Sequence, residues 1–537
     1  MVNLSLAVSY AFGGMNVWGY HVFNLIIHLL AALTLYGIVR RTLLRPALRE
    51  KFGVSGEWIA LTVAILWTVH PLQTEAVTYI SQRCESLMGL FYLLTLYTFI
   101  RGVESRKSAG WFSLSIATCY LGVASKEVMV TAPLMVLLYD RTLVSGNFRE
   151  AWTRHQRLYL GLASSWLLLG YLMMGLHDRN VGYGLGSTWW GYGLTECRAI
   201  VHYLRLAVLP YPLVLDYGPY MSTSLGAIVP YAIIVAVLGI GVLCALGRRT
   251  IIGFVGAWFF VILAPTSSVI PIAGSPMAEH RMYLPLVSVI IAIIFGAVFL
   301  GERLIQPRQR VYLGSVAGGF VMVLFVLLTI QRDRDYRSAL TIWQDTIDKC
   351  PNNSRAFNNL GAALFEVGKV RDAIGYLERA VEIKPDYVNA HRNLGIALVK
   401  FGNVREGIEQ YREVLRMDPD YAEVHDDLGT ALEQAGQIDE AIGQYEEALR
   451  IKPDYAFAHN DLAVTLARQG RVQEAIEHWR QALRTNPDYA FAHFNLAIAL
   501  TGQHKLQEAI DHYKEALRID PDYAEAQRAL VRLQAAQ

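Results

Sequence analysis

Cysteine is scarce in this chain and what there is has no pattern: Cys84, Cys119, Cys197, Cys244 and Cys350 stand far apart, without a CxxC pair or metal-ligand spacing. Neither a disulfide framework nor a zinc site is suggested. Charge is scarce as well, at 18% of residues against 53% hydrophobic content over 537 residues, which excludes one soluble domain and predicts several units. Acidic residues are missing altogether from the first 49 positions, and no HExxH stretch or Ser/His/Asp arrangement is present. The glycines of VGYGLGSTWWGYG (residues 181–193) make no dinucleotide fingerprint, because no strand precedes them and no helix is expected to follow. No cleavable signal peptide precedes the first long apolar run, whose apolar region is too long and lacks a small-residue cleavage site.

What is present divides unevenly. Residues 1–330 carry 23 Lys and Arg against 13 Asp and Glu, whereas residues 331–537 carry 25 against 33. A basic apolar half is joined to an acidic polar one. This is the pattern of an integral membrane domain plus a soluble one, and not of a nucleic-acid binder, which would concentrate its cations on the polar part. Ten apolar runs read as spanning helices, at about 18–39, 58–70, 85–100, 110–124, 128–139, 158–176, 225–246, 251–264, 282–300 and 311–330.

Alternate loops hold the cations: Arg40, Arg41, Arg45, Arg49 and Lys51; Arg101, Arg106 and Lys107; Arg141, Arg149, Arg154 and Arg157; Arg248 and Arg249; Arg303, Arg308 and Arg310. The positive-inside rule makes these loops cytoplasmic. Keeping that alternation requires a hairpin of the two short runs around Lys126-Glu127, and an amphipathic helix over residues 196–210 lying on the outer face. Residues 1–17, 70–84, 126–127, 177–224 and 265–281 then face outward, with everything after the tenth span. The expected location is a bacterial inner membrane or a eukaryotic endoplasmic reticulum membrane, the polar half on the extracytoplasmic side.

From Ser354 the sequence repeats every 34 residues. Leu360-Gly361, Leu394-Gly395, Leu428-Gly429, Leu462-Ala463 and Leu496-Ala497 recur in step, as do Pro385, Pro419, Pro453, Pro487 and Pro521. Small residues where two helices touch, with a proline after the second helix, are the signature of tetratricopeptide repeats. The expected architecture is all-α: a polytopic membrane domain over residues 1–330, then an α-solenoid over residues 331–537. The solenoid has five full repeats, a leading half repeat marked by Ala339, Trp343 and Pro351, and a closing helix at 524–537. Such arrays bind peptides along the surface made by the first helices. One position there reads Asn359, Asn393, Asp427, Asp461 and Asn495. It resembles the asparagine ladder by which the nucleocytoplasmic GlcNAc transferase holds a peptide backbone, and the plainer alternative is a polar solvent-facing position. The two aspartates depart from the ladder, since a carboxylate only accepts hydrogen bonds.

Four outward segments place ionisable groups at span ends: His70 with Glu75, Arg83 and Glu85; Lys126-Glu127; Arg205; and Glu279-His280-Arg281. Charges at span ends ordinarily face water or each other. Recurrence on one face beside apolar walls favours a site, in which cations suit a lipid-linked phosphate and carboxylates suit a general base or an orienting partner. Aromatic residues of the 181–193 segment suit sugar stacking, or simply the membrane interface.

These features resemble the transmembrane and tetratricopeptide-repeat protein O-mannosyltransferases, within the multi-span GT-C type of polyprenyl-phosphate-sugar glycosyltransferases. The resemblance covers nearly the whole chain. It rests on Trp18-Gly19-Tyr20-His21 with Asn24 and His28, His70-Pro71 with Thr74-Glu75-Ala76-Val77, Ser125-Lys126-Glu127, Tyr203-Leu204-Arg205, Pro265-Thr266-Ser267-Ser268, and Glu279-His280-Arg281-Met282-Tyr283-Leu284-Pro285. It implies transfer of a sugar, typically mannose, from a polyprenyl phosphate to Ser/Thr hydroxyls of proteins on the outer face. It also implies a catalytic acid in a first outer loop after an initial span. The first 49 residues hold no such acid, so the expectation is either a chain that starts late or one that lost the acid, with Glu75 as the remaining candidate base. His70, Arg83, Lys126, Glu127, Arg205, Glu279, His280 and Arg281 are the candidate lipid-phosphate and sugar ligands, with no metal and no cofactor beyond the donor sugar lipid. The alternatives are a non-catalytic membrane-tethered scaffold that binds proteins through its repeats, and a lipid-sugar transporter, which no inverted repeat supports.

Overall fold

Long apolar runs in a bilayer have no polar partner for their backbone except themselves, so each closes its hydrogen bonds as a helix. The computed structural model describes residues 1–53, 55–174, 189–218, 225–266 and 277–535, and every regular element among them is helical. They form two compact units, Met1–Pro351 and Asn352–Gln537.

The first unit contains α1 (Val2–Gly13), α2 (Val17–Leu43), α3 (Pro46–Phe52), α4 (Gly56–Thr68), α5 (Thr74–Thr78), α6 (Arg83–Glu104), α7 (Ser108–Val123) and α8 (Ala132–Leu143). It continues with α9 (Phe148–Ala163), α10 (Ser165–Met174), α11 (Trp189–Val208), α12 (Leu225–Gly247), α13 (Ile251–Leu263), α14 (Pro285–Leu304), α15 (Pro307–Asp335) and α16 (Ala339–Lys349). Six stretches are long and apolar enough to cross a membrane: Val17–Leu43, Ile80–Glu104, Phe148–Met174, Ile228–Gly247, Pro285–Leu304 and Tyr312–Asp335. The protein is an integral membrane protein. Of the shorter helices in the expected runs, α4 buries Ala60, Val63 and Trp67 between its neighbours, so packing against protein and not length decides its place.

Two expectations are corrected here. Residues 1–17, read as the tail of an outer loop, instead contain α1, which packs on α2 and α6. A helix does follow the glycine–aromatic segment, because α11 begins at Trp189 within it; residues 181–188 of that segment and Ser267-Ser268 lie outside the described residues. The half repeat at Ala339 packs with the first unit, as α16.

The second unit pairs α17 (Ser354–Glu366) with α18 (Val370–Ile383), α19 (Val388–Phe401) with α20 (Val404–Met417), and α21 (Ala422–Gln434) with α22 (Ile438–Ile451). Two further pairs follow, α23 (Ala456–Arg468) with α24 (Val472–Thr485) and α25 (Ala490–Gly502) with α26 (Leu506–Ile519), and α27 (Ala524–Ala535) closes the array. The small residue in each first helix is dictated by contact. A Cβ at Gly395 would come within 2.7 Å of the Tyr411 ring, and one at Gly429 within 2.6 Å of the Tyr445 ring. The turn between paired helices takes a left-handed residue, Gly368, Gly402, Gly436 and Gly470 in the first four pairs and His504 in the fifth.

Candidate functional site

Short 3₁₀ segments, Pro71–Gln73, Ile80–Gln82, Glu127–Thr131 and Glu279–Met282, gather with α5 at one end of the first unit's helices. The loop before α14 is pinned there by residues of the sequence motifs. Trp67 Nε1 donates to the Tyr283 carbonyl at 2.8 Å, His28 Nδ1 lies 2.9 Å from the Tyr283 hydroxyl, and Trp258 Nε1 donates to the Leu284 carbonyl at 2.9 Å. Asn24 Nδ2 donates to the Val77 carbonyl at 3.0 Å and so holds α5 against α2. Asn24 and His28 are thus positioning residues that set the loops on the helix ends.

That framework brings four ionisable side chains together from distant parts of the chain. Glu75 Oε1 lies 2.6 Å from His280 Nδ1, and its Oε2 accepts from the His280 backbone N–H at 3.0 Å. His280 Nε2 lies 3.9 Å from Glu85 Oε1, which also pairs with Lys126 Nζ. The result is an alternating file, Glu75, His280, Glu85 and Lys126. Glu75 and Glu85 are buried, while His280 and Lys126 are half-buried. Burial works against the Lys126 charge, yet Glu85 and Glu127 hold its pKa above the ordinary lysine value. A carboxylate on Nδ1 orients the imidazole ring and turns Nε2 toward Glu85.

A second group adjoins Glu75. Glu279 is buried and accepts from the Val214 backbone N–H at 2.6 Å and from the Tyr217 hydroxyl at 2.7 Å. Burial pushes its pKa to about 7, with nearby Arg332 opposing and Glu75 reinforcing the rise. Arg332 Nη1, in turn, donates to Asp345 at 2.7 Å and Asp335 at 3.2 Å, which ties the end of α15 to α16. Arg281 is buried with its Nη1 3.3 Å from Glu196 Oε1, and Tyr203, Glu196 and Tyr192 hold its pKa above the ordinary value against the effect of burial. Sequence reading missed Arg332, Asp345, Glu196 and Tyr192. The only signal was an arginine and an acid at the edges of apolar runs, where span boundaries carry charges anyway.

Other expected site residues serve packing. Arg83 does not face open space. Its Nε donates to Asn24 Oδ1 at 2.6 Å, Nη1 to the Ser5 carbonyl at 2.9 Å and to Ser9 Oγ at 3.0 Å, and Nη2 to the Tyr20 carbonyl at 3.1 Å. It locks α1, α2 and α6 together. His70 is buried edge-on against Phe325, caps the 3₁₀ turn by accepting from Leu72 N–H, and sits 3.2 Å from the Ala207 carbonyl through Nε2. Burial lowers its pKa to about 4, so it stays neutral. Arg205 and Glu127 are exposed, and Arg205 donates to the Tyr211 carbonyl at 2.8 Å.

In the repeats, the expected peptide-binding column is largely spent within the unit. Asn393 Nδ2 donates to Asn358 at 2.9 Å and Asn495 Nδ2 to Asn460 at 3.2 Å, each reaching the preceding repeat. Asp427 pairs with Arg392 at 2.8 Å, Asp461 accepts from Asn460 at 2.8 Å, and Asn359 accepts from Asn358 at 3.1 Å. A column that sequence reading overlooked, His391, His425, His459 and His493, sits 2.9–3.1 Å from the carbonyls of Pro385, Pro419, Pro453 and Pro487.

Residues 1–173 match the family described as dolichyl-phosphate-mannose-protein mannosyltransferase, and residues 331–388, 392–456 and 460–524 match the tetratricopeptide repeat. Among the described residues, a helical unit with membrane-length apolar helices and ionisable residues gathered at its helix ends precedes a tetratricopeptide solenoid. Over these two parts the chain is similar to the tetratricopeptide-repeat protein O-mannosyltransferases. Protein O-mannosyl-transferase F38B6.6 of Caenorhabditis elegans is 24% identical over 405 residues, covering 70% of this chain and 52% of its own. Human protein O-mannosyl-transferase TMTC4 is 24% identical over 414 residues, covering 68% and 55%. Protein O-mannosyl-transferase Tmtc2 of Drosophila melanogaster is 33% identical over 144 residues, covering 26% and 14%. The chain spans about half the length of the first two of these relatives.

Proposed function

We propose that the protein transfers a sugar, mannose in the reading its relatives favour, from a polyprenyl phosphate to Ser/Thr hydroxyls of proteins on the extracytoplasmic side. The Glu75–His280–Glu85–Lys126 file carries this reading. Glu75, the base expected from sequence, has both oxygens taken by His280. It therefore acts through the imidazole: Glu75 orients the ring, and His280 Nε2 removes the hydroxyl proton as the oxygen attacks the anomeric carbon. The bond from that carbon to the phosphate oxygen breaks, and the phosphate leaves with the electron pair. Lys126, with Arg281, favours the departing negative charge. The repeats are read as the unit that holds the acceptor protein, and the engaged amides of Asn393 and Asn495 leave recognition to other side chains of the first helices.

The test uses the full chain in vesicles, a polyprenyl-phosphate mannose bearing labelled sugar, and a Ser/Thr-rich acceptor peptide. His280→Ala and Glu75→Gln should each cut transfer by about 10²–10⁴-fold, the usual weight of a general base, while membrane insertion and helical content stay unchanged. Undiminished transfer by both variants sinks the assignment. Peptide retention on the repeats with no transfer by the unaltered chain leaves the scaffold reading in its place.

A further inference from the structure

The first unit also has an open-sided cavity of about 670 Å³ between α2, α6, α8, α13 and α14. It begins near Leu35 and Leu93 and runs to the helix ends that carry Arg40, Arg41 and Arg45, where Leu48 and Phe52 of α3 close over it. Its walls are almost wholly aliphatic and aromatic, broken by Thr42, Tyr139, Thr250, Ser288 and, at the mouth, Lys51. Water gains too few polar partners in such a space. A hydrocarbon chain satisfies it.

The mouth says what the chain is attached to. Thr42 and Tyr139, both lining residues, share a hydrogen bond of 2.8 Å, and the Arg45 guanidinium lies 5.5 Å from the Tyr139 ring centre. Arg45 stands behind the lining: its Nη1 donates to the carbonyl of Leu143, a lining residue, at 3.2 Å, and its Nε and Nη2 are buried with no acceptor among the described residues. Lys51 is half exposed, and its carboxylate neighbour, Glu302, lies 3.6 Å away. Two donors on a guanidinium in a fixed fork match two oxygens of a phosphate.

We propose that this cavity binds one acyl chain of an anionic phospholipid, with the lipid phosphate against Arg45 and Lys51. Its charged end, at Arg45 and Lys51, lies past the last residue of α2, whereas α5 with Glu75 is held against the other end of that helix by Asn24. It would seal the wall between these helices and couple their spacing to the anionic lipid content of that leaflet. The inference does not depend on the transfer reading.

The experiment reconstitutes the full chain in phosphatidylcholine vesicles, with a trace of either phosphatidylglycerol or phosphatidylcholine carrying a photoactivatable diazirine in the acyl chain. Adducts are mapped by peptide mass spectrometry. Phosphatidylglycerol should label the lining segments of α6, α13 and α14 about tenfold more than phosphatidylcholine, and Arg45→Gln with Lys51→Gln should erase that preference. Gly296→Phe should abolish labelling inside the cavity, since a Cβ at Gly296 meets nothing within 4 Å and the ring has room to enter. Labelling of Phe320 and Leu327, exposed on α15, should persist and shows that the variant inserts. Equal labelling by both lipids, indifferent to Gly296→Phe, overturns the proposal. So does displacement of the label by a polyprenyl phosphate but not by phosphatidylglycerol.

Discussion

Arg83 shows how far a side chain's part depends on what surrounds it. In the sequence it is one more cation beside Glu75 and Glu85; in the fold it is a three-helix clasp with its donors distributed over Ser5, Ser9, Tyr20 and Asn24. A lysine has neither the fork nor the number of donors. Arg83→Lys should therefore cost on the order of 2–4 kcal/mol, through buried acceptors left unmet, and appear as a lowered thermal midpoint with early loss of α1. Glu279 offers a pH test. Its folded pKa of about 7 lies above the ordinary carboxylate value, so its stabilising share is full below about pH 4.5, declines as the pH rises, and is gone above about pH 7. Glu279→Gln keeps an acceptor for Val214 and Tyr217 and removes the charge. Its melting temperature should lose that part of the wild-type decline between pH 5 and 8, to within about a unit of pH. Identical pH profiles for the two proteins would place the titration elsewhere. The candidate site was half legible for this reason: the residue types stood in the sequence, whereas the meeting of Glu75 with His280, 205 positions apart, depends on loops seated by Asn24 and His28.

Elements were more legible than sites, because run length and period are properties of the chain itself. Among the described residues, each of the ten apolar runs falls on helical structure, the run from 158 being divided between α9 and α10, and each full repeat forms a helix pair. The miss was α1, whose Ser and Ala content reads as a loop tail and whose buried Ser5 and Ser9 find their partner only in Arg83. Within the repeats, small departures from the period carry consequences. His504 stands at φ 59° where the other four turns have glycine. His504→Gly should stabilise the last pair by about 1 kcal/mol, read as slower amide exchange in α25 and α26. The histidine column divides in a similar way. His391 and His425 face Gln410 and Gln444 through Nδ1, and an amide can turn to suit either protonation state. His459 and His493 face His478 and His512, with 2.9 Å between Nδ1 atoms. Two protons on such a pair set N–H against N–H. Burial holds His459, His478 and His512 below the ordinary imidazole value; Arg484 adds to this at His459, and Glu474 and Glu508 oppose it at His478 and His512. The stability they contribute is present above about pH 6.5 and falls as the pH drops below it. Acidification should thus raise amide exchange, corrected for intrinsic rate, in α23–α26 more than in α19–α22. His478→Gln with His512→Gln should remove the difference, and equal acid sensitivity in all four pairs would refute the pairing argument.

At the scale of the whole molecule, the two units hold separate cores. Residues 408–533 share a cluster of Leu, Ala, Ile and Tyr that needs nothing from the apolar helices. The Asn352–Gln537 unit expressed alone should be helical and should unfold as an entity of its own in circular dichroism; a molten chain in that experiment would show that the core is insufficient. The sequence division at 330 and the packing division at Pro351 differ because Arg332 binds Asp345 and Lys349 reaches the Leu213 carbonyl at 2.8 Å, so α16 is claimed by side chains that periodicity does not register. The junctions between repeats have one further consequence. Four successive junctions are closed by the same device, a histidine seated on the carbonyl of the proline before it. This pair is set by residues within six positions of each other, so it forms at a junction however many repeats precede it. An in-frame copy of one 34-residue unit would find a matching surface at either end, which makes the length of the array a quantity that gene duplication can adjust without redesigning any contact.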